Sequence, residues 1–345
     1  MAREFCTGRA RPASIAAMKY LHVAEQPPEG GRGGRGGRYV ASLRETAAPV
    51  PGRGEVLIRV TASGVNRADL SQIAGRYPPP PGESEILGLE VSGVRDDTDE
   101  PVCALLAGGG HAQYVAAPVV QVFPAPMGLD LATAAGIPEA FLTAYLNLVV
   151  EGGVVPGASV LVHAGASGVG LAAIQVAKLG GARVAATTRT PEKLAALAAA
   201  GVDLAVDTSR AEVVAEIEGH WGLDAVDIVL DPIGAATLGG DLRVLRVGGR
   251  IVILSTMSGS RTELDLGLLM KKRARVVGST LRARSRQEKA AIVTRFREEM
   301  LPGFATGKLK VTVDSVFPVE RAAEAFQRMR ENRNVGKVLI GWSGG

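Results

Sequence analysis

Residues 159–188, SVLVHAGASGVGLAAIQVAKLGGARVAATT, limit the fold more than any other part of the chain. An apolar run at 160–162 enters a corner written Gly165-Ala166-Ser167-Gly168-Val169-Gly170, and helical spacing follows over 171–179. A second apolar strand closes the unit. Strand, glycine turn, helix and strand in that order form a crossover, and crossovers join parallel strands. Further units follow, with a helix over 191–200 and strands at 204–206, 226–230, 251–254 and 276–277. The expectation is an α/β fold with a doubly wound parallel sheet.

The flanks have another texture. Residues 51–66 and 102–117 read as β-structure, and residues 75–82, GRYPPPPG, as a rigid proline turn. The tail alternates a helix over 286–300, a strand at 311–316, a helix at 320–330 and a strand at 337–340. The simplest arrangement inserts a Rossmann domain, residues 138–283, into a β-rich module made of 18–137 and 284–345. A first strand is expected at 19–24. The Gly-Arg repeat after it, GGRGGRGGR, reads as a solvated loop; binding RNA is the weaker alternative. Residues 1–17 read as a disordered extension before Met18, with a faint transit-peptide flavour.

A chain of 345 residues with 46% hydrophobic content exceeds one ordinary core, yet no apolar run reaches a membrane span. The net charge of +4 comes largely from arginines in the first 40 residues, so it argues for no basic binding face. Two cysteines cannot build a disulfide framework, and the four histidines form no metal spacing, so no metal ligands are assigned. A reducing, cytoplasmic setting fits this usage.

The glycine corner carries the chemistry. Gly165, Gly168 and Gly170 let a pyrophosphate approach the backbone, with Ser167 among them, and the helix beginning near Val169 offers free N–H groups to the anion. That implies a dinucleotide. The next strand ends in Thr187-Thr188-Arg189-Thr190, with Lys193 close behind and no carboxylate before Glu192. Hydroxyls with Arg189 and Lys193 suit a ribose 2′-phosphate, so the cofactor expected is NADPH.

Together with VNRADLSQIAGRYPPPPG, ILGLEVSG, IPEAFLTAY and RNVGKVLI, the corner resembles the zinc-independent quinone oxidoreductase branch of the medium-chain dehydrogenase/reductase superfamily, the zeta-crystallin-like proteins. The resemblance covers roughly residues 18–342 and implies that the β-rich module is GroES-like. Zinc-dependent relatives carry His where this chain has Leu89, together with a four-cysteine lobe that is absent here. By the resemblance, Asn66 and Thr143 lie beside the nicotinamide and its ribose, and Gly168 and Val169 at the pyrophosphate. Lys193 then meets the 2′-phosphate, Leu254, Met257 and Leu281 belong to loops along the carboxamide edge, and Asn334 is a late cofactor contact. Tyr77 matches an aromatic residue at the acceptor pocket. Asn66 capping a turn and Tyr77 packing on the prolines are the plain structural alternatives.

Two departures stand out. Thr208 replaces a tyrosine that stacks near the adenine in relatives. The stretch from Gly93 to Val102 is about a dozen residues shorter than theirs. Either the module has rearranged, or the chain is an imperfect version of the family in which a lost strand exposes an edge or opens the core. The implied reaction is hydride transfer from NADPH to a quinone, with Tyr77 and Asn66 as the catalytic polar groups. Reduction of an enal or enoyl double bond is the alternative, and a cofactor-binding protein with little turnover the non-enzymatic one. The expected partners are a small quinone or enone acceptor and a second copy in a homodimer, with no membrane or nucleic acid.

Overall fold

The computed structural model describes residues 17–26 and 37–342. The N-terminal segment 1–16 and most of the Gly-Arg repeat lie outside the described residues, so neither expectation about them is addressed. Ala17, however, already opens a strand. β1 (Ala17–Gln26) and β2 (Arg38–Ala47) form an antiparallel ribbon that buries Leu21 and Val23. Its docking bonds run to the main sheet, Leu21 N–H to the His111 carbonyl at 2.8 Å and Gln113 N–H to that of Lys19 at 3.0 Å.

The main β-sheet begins with β3 (Glu55–Val65), β4 (Glu90–Arg95), β5 (Pro101–Leu105), β6 (Tyr114–Pro118) and β7 (Val122–Pro124). Along β3 the apolar residues alternate inward, as a strand with one covered face requires. The shortened stretch is a rearrangement: no edge opens there. β4 and β5 pair directly, Val94 with Pro101, through a tight turn. Arg95 donates both Nε and Nη2 to Asp97 (2.9 and 2.7 Å) and holds that turn. Val91, Val102 and Ala104 stay buried beneath it.

The parallel sheet contains β8 (Ser159–Val162), β9 (Arg183–Thr188), β10 (Leu204–Asp207), β11 (Val226–Asp231), β12 (Leu245–Ile253) and β13 (Arg275–Gly278). Its order is β10-β9-β8-β11-β12-β13. The direction of winding reverses between β8 and β11, the place where such sheets leave a crevice beyond the carboxyl ends of their strands. β8 is buried along its whole length, which is why its sequence is a continuous apolar run. The tail adds β14 (Val313–Pro318) and β15 (Lys337–Gly341) to the main sheet, in the order β14-β15-β3-β4-β5-β7. The two layers share one core. Cys103, Leu105 and Phe123 pack in the same cluster as Val160, Val162 and Ile174, and Phe296 from the Arg286–Glu299 helix joins them.

Candidate active site

β8 delivers the chain into the glycine turn. The one left-handed residue there is Ala164 (φ 50°); none of Gly165, Gly168 and Gly170 needs positive φ. Their value is close approach. A Cβ on Gly165 would lie 2.8 Å from Ala186 Cβ, and one on Gly170 would lie 2.6 Å from the Gly165 carbonyl oxygen. Ser167 caps the Gly168–Leu179 helix, its Oγ accepting from Gly170 N–H at 3.0 Å. Ser167, Gly168 and Val169 are partly exposed, whereas Gly165 and Gly170 are buried. A capped helix start with first-turn N–H groups facing outward is a cradle for an anion. At Gly168 a Cβ would first meet Lys337 Cδ, at 2.6 Å, so a side chain there presses on a buried lysine as well as on the cradle.

The carboxyl ends of β9 and β10 carry the next candidates. Arg189 follows β9, and Thr208 follows β10, its N–H donating to the Thr188 carbonyl at 2.8 Å. Arg189, Thr190, Lys193, Asn332 and Arg333 line a cavity of about 630 Å³. Lys193 donates to the carbonyls of Asn332 and Asn334, which ties the tail to this rim. Burial first, and then Arg67, Arg328 and Arg189, push its ammonium below the usual lysine range against Asp314. Arg67 is depressed likewise, by burial and by Arg189. Cations that disfavour one another's charge in one place gain by meeting an anion. Asn334 is buried and donates Nδ2 to the Gly336 carbonyl (2.8 Å), while Gly336 N–H bonds Ala166 of the turn (2.9 Å).

A second polar centre lies at one end of β15, β3 and β4. Leu339 pairs with Gly64 and Ser63 with Val91, so register brings Lys337, Asn66 and Glu90 together from distant parts of the chain. The Lys337 ammonium donates to Asn66 Oδ1 at 2.8 Å and to Glu90 Oε1. Asn66 Nδ2 donates to Glu90 Oε1 at 2.9 Å and to the Gly64 carbonyl at 3.2 Å. Glu90 Oε2 accepts the backbone N–H of Glu139 at 2.8 Å. All three side chains are buried, and a buried ion pair is tolerable only when its remaining polar atoms are this fully bonded. Asn66 does stand at the start of the Arg67–Ile73 helix, but its carboxamide is also committed to this network. Its backbone N–H donates to Asp69 Oδ2 at 2.7 Å, and Asp69 Oδ1 takes Gly88 N–H at 3.0 Å, clamping that turn beside Leu89.

Glu139 and Thr143 project from one helix, Pro138–Tyr145, four residues apart. Thr143 Oγ1 donates to Glu139 Oε1 at 3.4 Å. Burial, then the charge of Glu90, raises the Glu139 carboxyl to about 7, against the pull of Lys337. Tyr77 is half-buried, with Arg282 5.1 Å from its ring centroid. Arg282 also donates to the Tyr77 carbonyl (3.1 Å), the Ala107 carbonyl (2.7 Å) and Gln72 Oε1 (2.7 Å), fastening the proline loop. Burial raises the Tyr77 phenol and the Glu139 charge adds to it, so the two groups lie in each other's field.

Asn66 and the Glu139 N–H thus share Glu90, Thr143 bonds the Glu139 carboxyl, and Tyr77 lies in its field. Gly165, Ser167, Gly168, Val169 and Gly170 form the cradle, and Arg189, Lys193 and Asn334 border the cationic rim. Leu254 and Met257 follow β12 at the same carboxyl edge, their N–H groups bonded to the carbonyls of Asp231 (3.0 Å) and Pro232 (3.3 Å). Leu281 is buried in the shared core. Glu90, Glu139 and Lys337 were not singled out from sequence. The available signal was a charged residue inside each of the apolar motifs GLEVSG, IPEAFL and VGKVLI. Among the described residues no group of three or more His, Cys, Asp and Glu could hold a metal ion.

Comparison with known proteins fits this layout. Residues 168–296 match the family model described as Zinc-binding dehydrogenase, and residues 52–102 that of the Alcohol dehydrogenase GroES-like domain. Human Quinone oxidoreductase is 29% identical, covering 88% of this chain and 94% of its own length. The human Synaptic vesicle membrane protein VAT-1 homolog is 31% identical, covering 86% and 81%. Among solved structures, the Quinone Oxidoreductase from Thermus thermophilus, described also in its complex with NADPH, superposes with a TM-score of 0.76. Its identity is 33%, over 88% of this chain and 96% of that one.

Proposed function

Because the chain belongs to the quinone oxidoreductase branch of the medium-chain dehydrogenase/reductase superfamily, we propose that it is a zinc-independent NADPH:quinone reductase. The observation that carries this reading is the shared carboxyl edge of the parallel strands. There a capped helix start is followed by a cationic rim, and the Gly336 N–H bond to Ala166 ties the Lys337–Asn66 centre to the glycine turn. Residues 138–283 serve as the cofactor domain, and residues 18–137 with 284–345 as the GroES-like module.

Bound NADPH supplies a hydride from its nicotinamide ring. The chain's own residues do the rest. Helix N–H groups at Gly168 and Val169 take the pyrophosphate, and Arg189 and Lys193 take the 2′-phosphate. Asn66 is held in one orientation by Lys337 and Glu90, so it can position the ribose without reorganising. Leu89, fully covered, leaves no ligand where zinc-dependent relatives carry His. β13 closes one edge of the parallel sheet with Val276 38% exposed, which suits pairing with a second copy in a cytoplasmic homodimer.

The test is NADPH oxidation against a panel of quinones and enones, with metal content measured on the same sample. Turnover of quinones by protein without stoichiometric zinc, insensitive to chelators, is expected. Normal NADPH binding with no oxidation by any acceptor would make this a cofactor-binding protein instead.

A further inference from the structure

Buried side-chain oxygens almost always have a hydrogen-bond partner. Glu139 Oε2 is enclosed and has none among the described residues. Its companion Oε1 accepts from Thr143, so Oε2 is the oxygen left for a proton. Protonated, it becomes an O–H donor with no acceptor among the described residues. A ligand oxygen supplies that acceptor, and an alkene carbon does not. We propose that Glu139 is the acid that protonates the reduced acceptor, and that the acceptor is a carbonyl compound whose oxygen takes the Glu139 hydrogen bond. This rests on the reductase reading above.

The charged and titratable groups around Glu139 come from several separate elements. Glu90 and Asp69 from the main sheet disfavour its charge, and Lys337 from β15 favours it. Tyr77 lies in its field from the proline loop, Arg282 from the segment after β13 and Lys289 from the Arg286–Glu299 helix. Burial outweighs the cations and places the carboxyl at about 7, where an acid can both hold and release a proton near neutrality.

The step balances. The carbonyl acceptor receives a hydride from the reduced nicotinamide, which becomes the oxidised cofactor, and is left as an anion with its charge on oxygen. The Glu139 O–H bond breaks, its electron pair stays on the carboxylate, and the proton forms the new O–H bond of the product. A solvent proton restores the acid after release. Turnover therefore declines as pH rises through about 7, because the acid form is lost.

The experiment compares wild type, Glu139→Gln and Glu139→Asp. NADPH affinity by fluorescence titration should change less than about twofold in Glu139→Gln, while kcat for a quinone falls about 100-fold, within the range for a lost general acid. The alkaline limb of the wild-type profile should vanish in Glu139→Gln and return in Glu139→Asp. Infrared difference spectra of the cofactor-free protein should show a protonated-carboxyl band that disappears through about pH 7 and is missing in Glu139→Gln. An unchanged limb in Glu139→Gln, or weakened NADPH binding at normal kcat, would overturn the assignment. Wild type that binds NADPH but reduces no carbonyl acceptor sinks the reductase reading first, and this one with it.

Discussion

The glycine turn and the Lys337 centre are neighbours built in two different ways. The turn is built from backbone over six consecutive residues, 165–170, and what it offers an anion is the N–H groups of a helix start. The Lys337 centre is built from side chains whose residues are up to 271 positions apart, and it exists only when β15, β3 and β4 are paired in register. A local site tolerates rearrangement elsewhere; an assembled one reports on the whole sheet.

Lys337→Met should break the assembled site. Glu90 would keep its buried carboxylate while losing its cation, which costs about 3–5 kcal/mol in comparable cases. Urea unfolding should show that loss, and adding Glu90→Gln should recover most of it. A neutral single variant would mean that the pair is solvated and the centre is not held together by charge.

Gly168→Val joins the two regions, since its Cβ would reach Lys337 Cδ. NADPH affinity should fall by about 100-fold, about 2.7 kcal/mol. Circular dichroism should show the fold retained, because the first atoms it meets belong to a side chain and not to the backbone. If NADPH binds normally to the folded variant, the turn is not the phosphate cradle.

Arg189→Ala sharpens the contrast by testing the rim alone. Losing one charge-assisted bond to a 2′-phosphate should weaken NADPH about tenfold and leave NADH almost unchanged. Lys193→Ala should cost NADPH a similar factor. Its ammonium also holds the Asn332 and Asn334 carbonyls, so NADH binding should slip measurably too. Equal losses for both cofactors at Arg189 would remove the 2′-phosphate assignment.

The shortened stretch after Gly93 shows which of its two readings holds. Counting residues against relatives left a missing strand open, but the register Val94–Pro101 closes the gap with a turn stitched by Arg95 and Asp97. Strand pairing depends on which residues can meet, and a tight hairpin meets that condition with few residues.

What the residues alone determined was whatever depends on neighbours along the chain. The βαβ order, the buried run before Gly165, the Ser167 start of the helix and the cations after β9 are all local patterns of period and type. The tertiary structure decided the partners of the buried charges. Glu90, Glu139 and Lys337 each read as a lone charged residue in an apolar motif, and a charge cannot be buried without compensation. Which groups compensate it is a question of distance in space. Only the pairing of β15 with β3 and β3 with β4 brought Glu90 and Lys337 within reach of Asn66, and the seating of the Pro138–Tyr145 helix brought Glu139 against Glu90.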